Sequence, residues 1–351
     1  MRRRQATLLA ALATGTTALL TFGATGASAS VGAGPDLSSR PLPYQVFAPY
    51  YEMYDTSTDL AALSQQSGAK DLSLAFLQTA APGSCTAYWN GDATQPIASS
   101  SYGADIAAIQ ATGGNVIPSF GGYSADTTGT EIADSCTSVP AIAAVYESLI
   151  TTYHVPRIDM DVEATSLTNT DGINRRNEAI AMVEAWAAAR HRRIEFSYTL
   201  PTFPSGLTSA GYAVLQNAVA DGARIAAVNL LTFDYYLGTQ QDMVADTESA
   251  ADGLFSQLQS LYPTAPAGRL WHMIGVTEMP GIDDFGTDET FSTADAVTIL
   301  HWAQRQGLGL LSFWALQRDN GGCPGTKGAG ACSGVSQPAW YFSHVFEHFT
   351  T

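Results

Sequence analysis

Arg157-Ile158-Asp159-Met160-Asp161-Val162-Glu163-Ala164 alternates carboxylates with aliphatic side chains. A β-strand sends residues i, i+2 and i+4 to one face. Asp159, Asp161 and Glu163 therefore share one face, and Ile158, Met160 and Val162 share the other. In a barrel the outer face packs on helices and must be apolar, which sends the acids inward and up toward the strand end. Neighbours on that face are about 6.5 Å apart. Three carboxylates in so dry a place cannot all ionise, so at least one proton is held and some pKa values rise. Glu163, nearest the strand end, is the candidate general acid. A divalent-metal site and a solvated edge strand are the competing readings. The apolar opposite face argues against the second. For the first, no EF-hand pattern of Asp, Asn and Gly surrounds the ladder.

On both sides of this stretch, short apolar or β-branched runs alternate with Ala-rich segments of helical period. The expected strands are Tyr44–Tyr51, Asp71–Gln78, Asn115–Gly121, Arg157–Glu163, Arg193–Leu200, Ala226–Asp234, Leu270–Thr277 and Gly309–Gln317. A helix is expected after each, among them Thr247–Leu261 after the sixth and Gln337–Phe349 after the eighth. Eight such pairs in a row fit a single-domain (β/α)8 TIM barrel over 44–351 better than an open doubly wound sheet. No GxGxxG follows the first strand, which removes the usual dinucleotide signal. In a barrel, chemistry belongs at the carboxyl ends of the strands.

The first 29 residues are set apart. Arg2, Arg3 and Arg4 precede the apolar run Leu8 to Leu20, and Ala27-Ser28-Ala29 fits a small-residue cleavage site. This reads as a signal peptide, hence a secreted protein, with residues 30–43 as a flexible leader. The apolar run is too short and too interrupted for a membrane anchor. The 351-residue chain has 16 Lys+Arg against 32 Asp+Glu, a net charge of −16. Losing Met1–Ala29 removes three arginines and leaves −19. Such a balance excludes a nucleic-acid partner and electrostatic docking on anionic membranes. Four cysteines in an exported chain should pair, and three pairings are open. Cys323 and Cys332 lie nine apart in a Gly-rich loop that can close on itself, which leaves Cys85 with Cys136. With no CxxC and no adjacent His, zinc is disfavoured.

Asp159-x-Asp161-x-Glu163 resembles the core of the DxxDxDxE signature of glycoside hydrolase family 18, the chitinase family. Ser119-Phe120-Gly121-Gly122, ending strand three, is similar to the family's SxGG motif. Leu231-Thr232-Phe233-Asp234-Tyr235, ending strand six, resembles its MxYD motif. Gly309 to Trp314 resembles its last strand, which carries an active-site tryptophan. The run Ile274 to Asp284, followed by Phe291 to Ala296, looks like a bacterial subgroup. The resemblance covers about Tyr44 to Asn320, and its motifs fall in the correct order on the expected strands.

The resemblance implies a secreted, cofactor-free and metal-free chitinase, a monomer, acting on chitin or N-acetylglucosamine oligosaccharides. It implies a substrate-assisted retaining reaction with Glu163 as acid, Asp161 orienting the acetamido group, and Asp159 tuning Asp161. Substrate-binding residues would be Asp234, Tyr235, Trp314, Tyr198, Ser119, Gly122, Tyr50 and Phe76, with Trp89 at an outer subsite. Two positions depart from the pattern. Pro156 stands where the signature begins with Asp, far from the site. Phe233 stands where the family has a tyrosine that donates to the acetamido group, so Tyr235, Tyr236 or Tyr198 must replace that hydroxyl or the site is weakened. The alternatives are an endo-β-N-acetylglucosaminidase on N-glycan cores, which shares the motif, and a catalytically weak chitin-binding lectin. His344-Val345-Phe346-Glu347-His348 matches an inverted zinc-protease pattern, but no downstream residue is left to complete a metal site. There is no GxSxG.

Overall fold

The alternating stretch forms the fourth barrel strand, Arg157–Asp161. Ile158, Met160 and the following Val162 are completely buried on its outer side. In this computed structural model, residues 40–350 are described, apart from Asp55 and Ser57. The signal peptide and most of the leader expected from the sequence lie outside these residues.

The other barrel strands are Asp71–Thr79, Asn115–Gly121, Glu195–Phe203, Ala227–Leu231, Ile274–Glu278 and Leu310–Phe313. The first strand is split into Val46–Phe47 and Tyr50–Glu52. All run parallel, each beside its sequence neighbour. The split strand closes the ring. Its first half pairs with the eighth strand, Val46 opposite Leu310, and its second half with the second strand, Tyr50 opposite Ser73.

Local signals set the helix ends. Ser292 and Asp295 form a capping box at the start of Thr293–Gln306, and Gly307 ends that helix with φ 78°. Asp59 caps Leu60–Ser67 by accepting from the Ala62 N–H at 2.8 Å.

Several boundaries differ from expectation. Residues 267–272 form a short helix after Pro266, so the seventh strand begins at Ile274 and not at Leu270. The sixth strand stops at Leu231, and its helix begins early, at Met243. The last helix is only Tyr341–Phe346, because Trp340 has φ 62° and Pro338 precedes it. A short strand, Ala87–Trp89, folds back antiparallel on the second strand. Two short helices, Tyr123–Thr128 and Ile132–Ser135, follow the third strand.

The middle of the barrel is polar where such barrels are usually packed with branched aliphatics. Asp159 is level with Ser119 and Ser197 on its two neighbours. Asp161 is level with Gly121 and Thr199, and Thr199 with Asn229. Hydroxyl side chains gather around Asp159, because a buried carboxyl calls for hydrogen-bond donors. Among the described residues, no helix is long and apolar enough to cross a membrane.

Candidate active site

A cleft of about 500 Å³ opens at the carboxyl ends of the strands, with Asp161 and Glu163 in its lining. Asp159 lies one step below. Its Oδ2 accepts from Tyr50 Oη at 3.0 Å and Ser119 Oγ at 2.7 Å. Its Oδ1 accepts from Ser197 Oγ at 2.7 Å and Thr199 Oγ1 at 3.0 Å. Burial raises its pKa, and these hydroxyls oppose the rise. Asp161 is 3% exposed, and its Oδ1 has no hydrogen-bond partner. Burial first, and then the charges of Glu163, Asp159 and Asp126, push its pKa well above the carboxylate range.

Past Asp161 the chain leaves the sheet. The Val162 N–H still bonds Thr199 O at 2.9 Å. Glu163 remains extended, and Ala164 turns left-handed, φ 40°, into a 3₁₀ turn. That turn lifts the Glu163 side chain into the cleft. Burial pushes its pKa up to about 7, so it is largely protonated in mildly acidic solution.

One cleft wall is aromatic. Phe76 and Trp314 are stacked, with centroids 5.5 Å apart and planes 15° from parallel. Tyr50 supports both from below, 6.3 Å from Phe76 and 5.7 Å from Trp314. Gly122 has φ +82°, and a Cβ there would lie 2.5 Å from the Phe76 ring. Its role is to make room for that ring. Ser119 and Tyr50 differ from expectation in the same way: both are buried under the cleft, where they hold Asp159 and do not face a ligand.

Asp234 lines the opposite side together with Leu231, Phe233, Asp284 and Phe285. Its pKa is raised to about 8 by burial, then by Asp284 and Asp283. The loop that carries it is gripped by two carboxylates from the segment after strand seven. Asp283 Oδ2 accepts the Asp234 N–H at 3.2 Å. Glu289 accepts the N–H groups of Tyr235 at 2.7 Å and Tyr236 at 2.6 Å. This grip accommodates the left-handed backbone of Asp234 and Tyr236, φ 54° and 53°.

Tyr198 and Tyr235 are not in the cleft. Tyr198 is opposite Met160 and Val228, faces the helices, and donates to Asn177 Oδ1 at 2.7 Å. Tyr235 is 2% exposed and packs in the core, where burial and then the charge of Glu278 push its phenol pKa up. Tyr236 is 72% exposed and packs against Phe285, with centroids 4.4 Å apart and ring planes tilted by 42°. Trp89 is also a core residue; its indole N–H donates to Tyr153 Oη at 3.1 Å. Phe233 thus faces the cleft, and neither Tyr198 nor Tyr235 takes its place; the tyrosines that line the cleft are Tyr54 and Tyr123.

Cys85 pairs with Cys136 and Cys323 with Cys332. The first bridge ties the loop after strand two to the loop after strand three. Among the described residues, no group of three or more His, Cys, Asp or Glu is arranged to hold a metal. His344 Nδ1 and Glu347 Oε1 lie 3.7 Å apart near the surface.

Sequence reasoning missed Asp126, Asp283 and Glu289. Asp126 is buried on the helix Tyr123–Thr128, and its Oδ2 accepts the backbone N–H of Glu163. The only signal for it is an acid a few residues after the SxGG-like motif.

No protein-family model matches the chain. It is 32% identical over 322 residues to a probable bifunctional chitinase/lysozyme of Escherichia coli, covering 88% of this chain and 35% of that protein. It is 32% identical over 290 residues to endochitinase 11 of Metarhizium anisopliae, covering 79% of this chain and 53% of that protein. The chain thus spans from a third to about half the length of these relatives. Among solved structures it is similar to active domain 2 of a chitinase from Pyrococcus furiosus, with 29% identity, a TM-score of 0.77, and coverage of 89% of this chain and 97% of that one. A structure of that domain complexed with chito-oligosaccharides gives 28% identity, a TM-score of 0.78, and coverage of 89% and 96%. With the Asp159–Asp161–Glu163 ladder at the end of the fourth strand of such a barrel, the chain belongs to glycoside hydrolase family 18.

Proposed function

We propose that this protein is an exported chitinase that cleaves β-1,4-linked N-acetylglucosamine with retention, using the substrate's own 2-acetamido group as nucleophile. The observation that carries this reading is the placement of Asp161 and Glu163 in one cleft beside the Phe76–Trp314 stack. Both acids have raised pKa values. The family is a substrate-assisted exception among retaining glycosidases.

Glu163 gives its proton to the glycosidic oxygen as the bond from that oxygen to the anomeric carbon breaks. The acetamido oxygen bonds to the anomeric carbon, and positive charge spreads over the resulting oxazolinium ring. Asp161, with its free Oδ1, receives the acetamido N–H and faces that charge. Asp159 stays below and tunes Asp161. Water then attacks the anomeric carbon and yields a proton to Glu163, and the acetamido oxygen leaves. The acid is restored and the configuration is retained. Trp314 supports the sugar from its apolar face, and Asp234 holds the acetamido side from across the cleft. Two disulfides and the amino-terminal signal support export, and we propose that the protein acts as a monomer.

The test is hydrolysis of chitotetraose beside a high-mannose glycopeptide. Cleavage of the first and not the second is expected. Glu163→Gln should lower turnover by about 100- to 10,000-fold, the range of general acid catalysis, while binding persists. A wild-type protein that binds chitotetraose without cleaving it would make it a lectin, with Phe233 as the reason.

A further inference from the structure

Asp126 is completely buried and belongs to none of the steps above. One of its oxygens accepts the backbone N–H of Glu163, and its main-chain carbonyl accepts the hydroxyl of Thr165. The general acid and the turn that follows it are therefore attached at two points to the helix Tyr123–Thr128. The same helix contributes Tyr123 and Ser124 to the cleft. The second oxygen, Oδ1, has no partner. It sits in space that exists because residue 121 is glycine: a Cβ there would lie 3.3 Å from Oδ1, and 2.0 Å from the carbonyl oxygen of Asp161.

We propose that Asp126 is a positioning residue that fixes Glu163 for proton transfer, acting through its carboxyl oxygen as an acceptor and not through a charge. The inference rests on the chitinase reading above. Strand four ends at Asp161, so Glu163 lies beyond the sheet ladder. Its N–H would otherwise go unpaired in a partly buried place. Asp126 supplies the missing acceptor. A neutral carboxyl suffices for that role, and the surroundings favour one. The groups facing Asp126 are Glu163 and Asp161 at the end of strand four, Glu131 on its own loop, and Arg176 from the helix Thr170–Ala188. Burial and then Glu131 push its pKa up to about 9, with Arg176 opposing.

The experiment compares wild type, Asp126→Asn and Asp126→Ala on chitotetraose across pH. The Asn carboxamide oxygen can still accept from Glu163, so its kcat should stay within about threefold of wild type, with the alkaline limb unmoved. Asp126→Ala should lose about 100-fold in kcat with little change in KM, the cost of a misplaced reacting group. A fall in Asp126→Asn as deep as in Asp126→Ala, or a displaced alkaline limb, would overturn the proposal and assign Asp126 a charge or a proton-relay role. An undiminished kcat in Asp126→Ala would overturn it as well. If Asp126→Ala does not fold, the Asp126→Asn profile alone decides. Failure of the wild type to cleave chitotetraose would count against the chitinase reading, because the inference concerns only the ratio of variant to wild type.

Discussion

Asp159 and Asp161 point the same way from one strand, yet four hydroxyls bond Asp159 while an oxygen of Asp161 has no partner. The hydroxyls favour the ionised form of Asp159. Asp161 has no such support and sits among three other acids. The proton shared between them therefore rests mainly on Asp161, the one that faces the cleft.

Asp159→Asn tests this division. It removes a charge that raises the Asp161 pKa, so Asp161 should ionise at lower pH, measurable by carbon NMR titration of the carboxyl groups. The amide also sets donors against hydroxyls that now donate, so turnover should fall by about tenfold or more. An unchanged titration of Asp161 would show that Asp159 does not tune it.

The alkaline side of the activity profile should belong to Glu163. Its pKa is raised to about 7 by burial, and it works as an acid only while protonated. Activity is thus available below about pH 7 and is lost as pH rises through that value. The bell for kcat/KM reports the free enzyme, so its alkaline midpoint should fall near 7. A midpoint near the ordinary glutamate value would show that burial does not hold the proton.

The carboxylate grip on the Asp234 loop gives a third expectation. Glu289→Ala leaves the N–H groups of Tyr235 and Tyr236 without their acceptor, at about 1–3 kcal/mol each where they are buried. The loop carrying Asp234 should loosen, and KM for chitotetraose should rise by about tenfold while kcat changes less. An unaltered KM would mean that Asp283 alone holds the loop.

What the sequence made legible followed from local rules. Period two assigned Asp159, Asp161 and Glu163 to one face, because strand faces are set within a few residues. The same rule places Tyr198 outside, since its neighbours Ser197 and Thr199 turn in to bond Asp159. The need for a hydroxyl to replace the one missing at Phe233 is what suggests it for the cleft. Asp126 and Glu289 were not legible. They bond backbone groups 37 and 53–54 residues away, and no local pattern brings such partners together. The export signal gains nothing from the fold, since it lies outside the described residues.

Arg176 and Glu131 offer a last test, of what holds Asp126 in place. Arg176 Nη2 donates to Glu131 Oε2 at 2.9 Å, with both side chains 1% exposed. Glu131 in turn caps the helix Ile132–Ser135, accepting from Ala133 and Asp134. Removing one member of such a buried pair leaves the other uncompensated, a cost of about 3–5 kcal/mol. Arg176→Met should therefore lower Tm by roughly 5–10 °C. It also takes away a cation that draws the Asp126 pKa down, so Asp126 should hold its proton to still higher pH. Replacing both partners with apolar residues should recover most of the stability, because the desolvation of the ions is then removed as well. A double variant, Arg176→Met with Glu131→Leu, that melts as low as the single one would show that Glu131 matters chiefly as a helix cap.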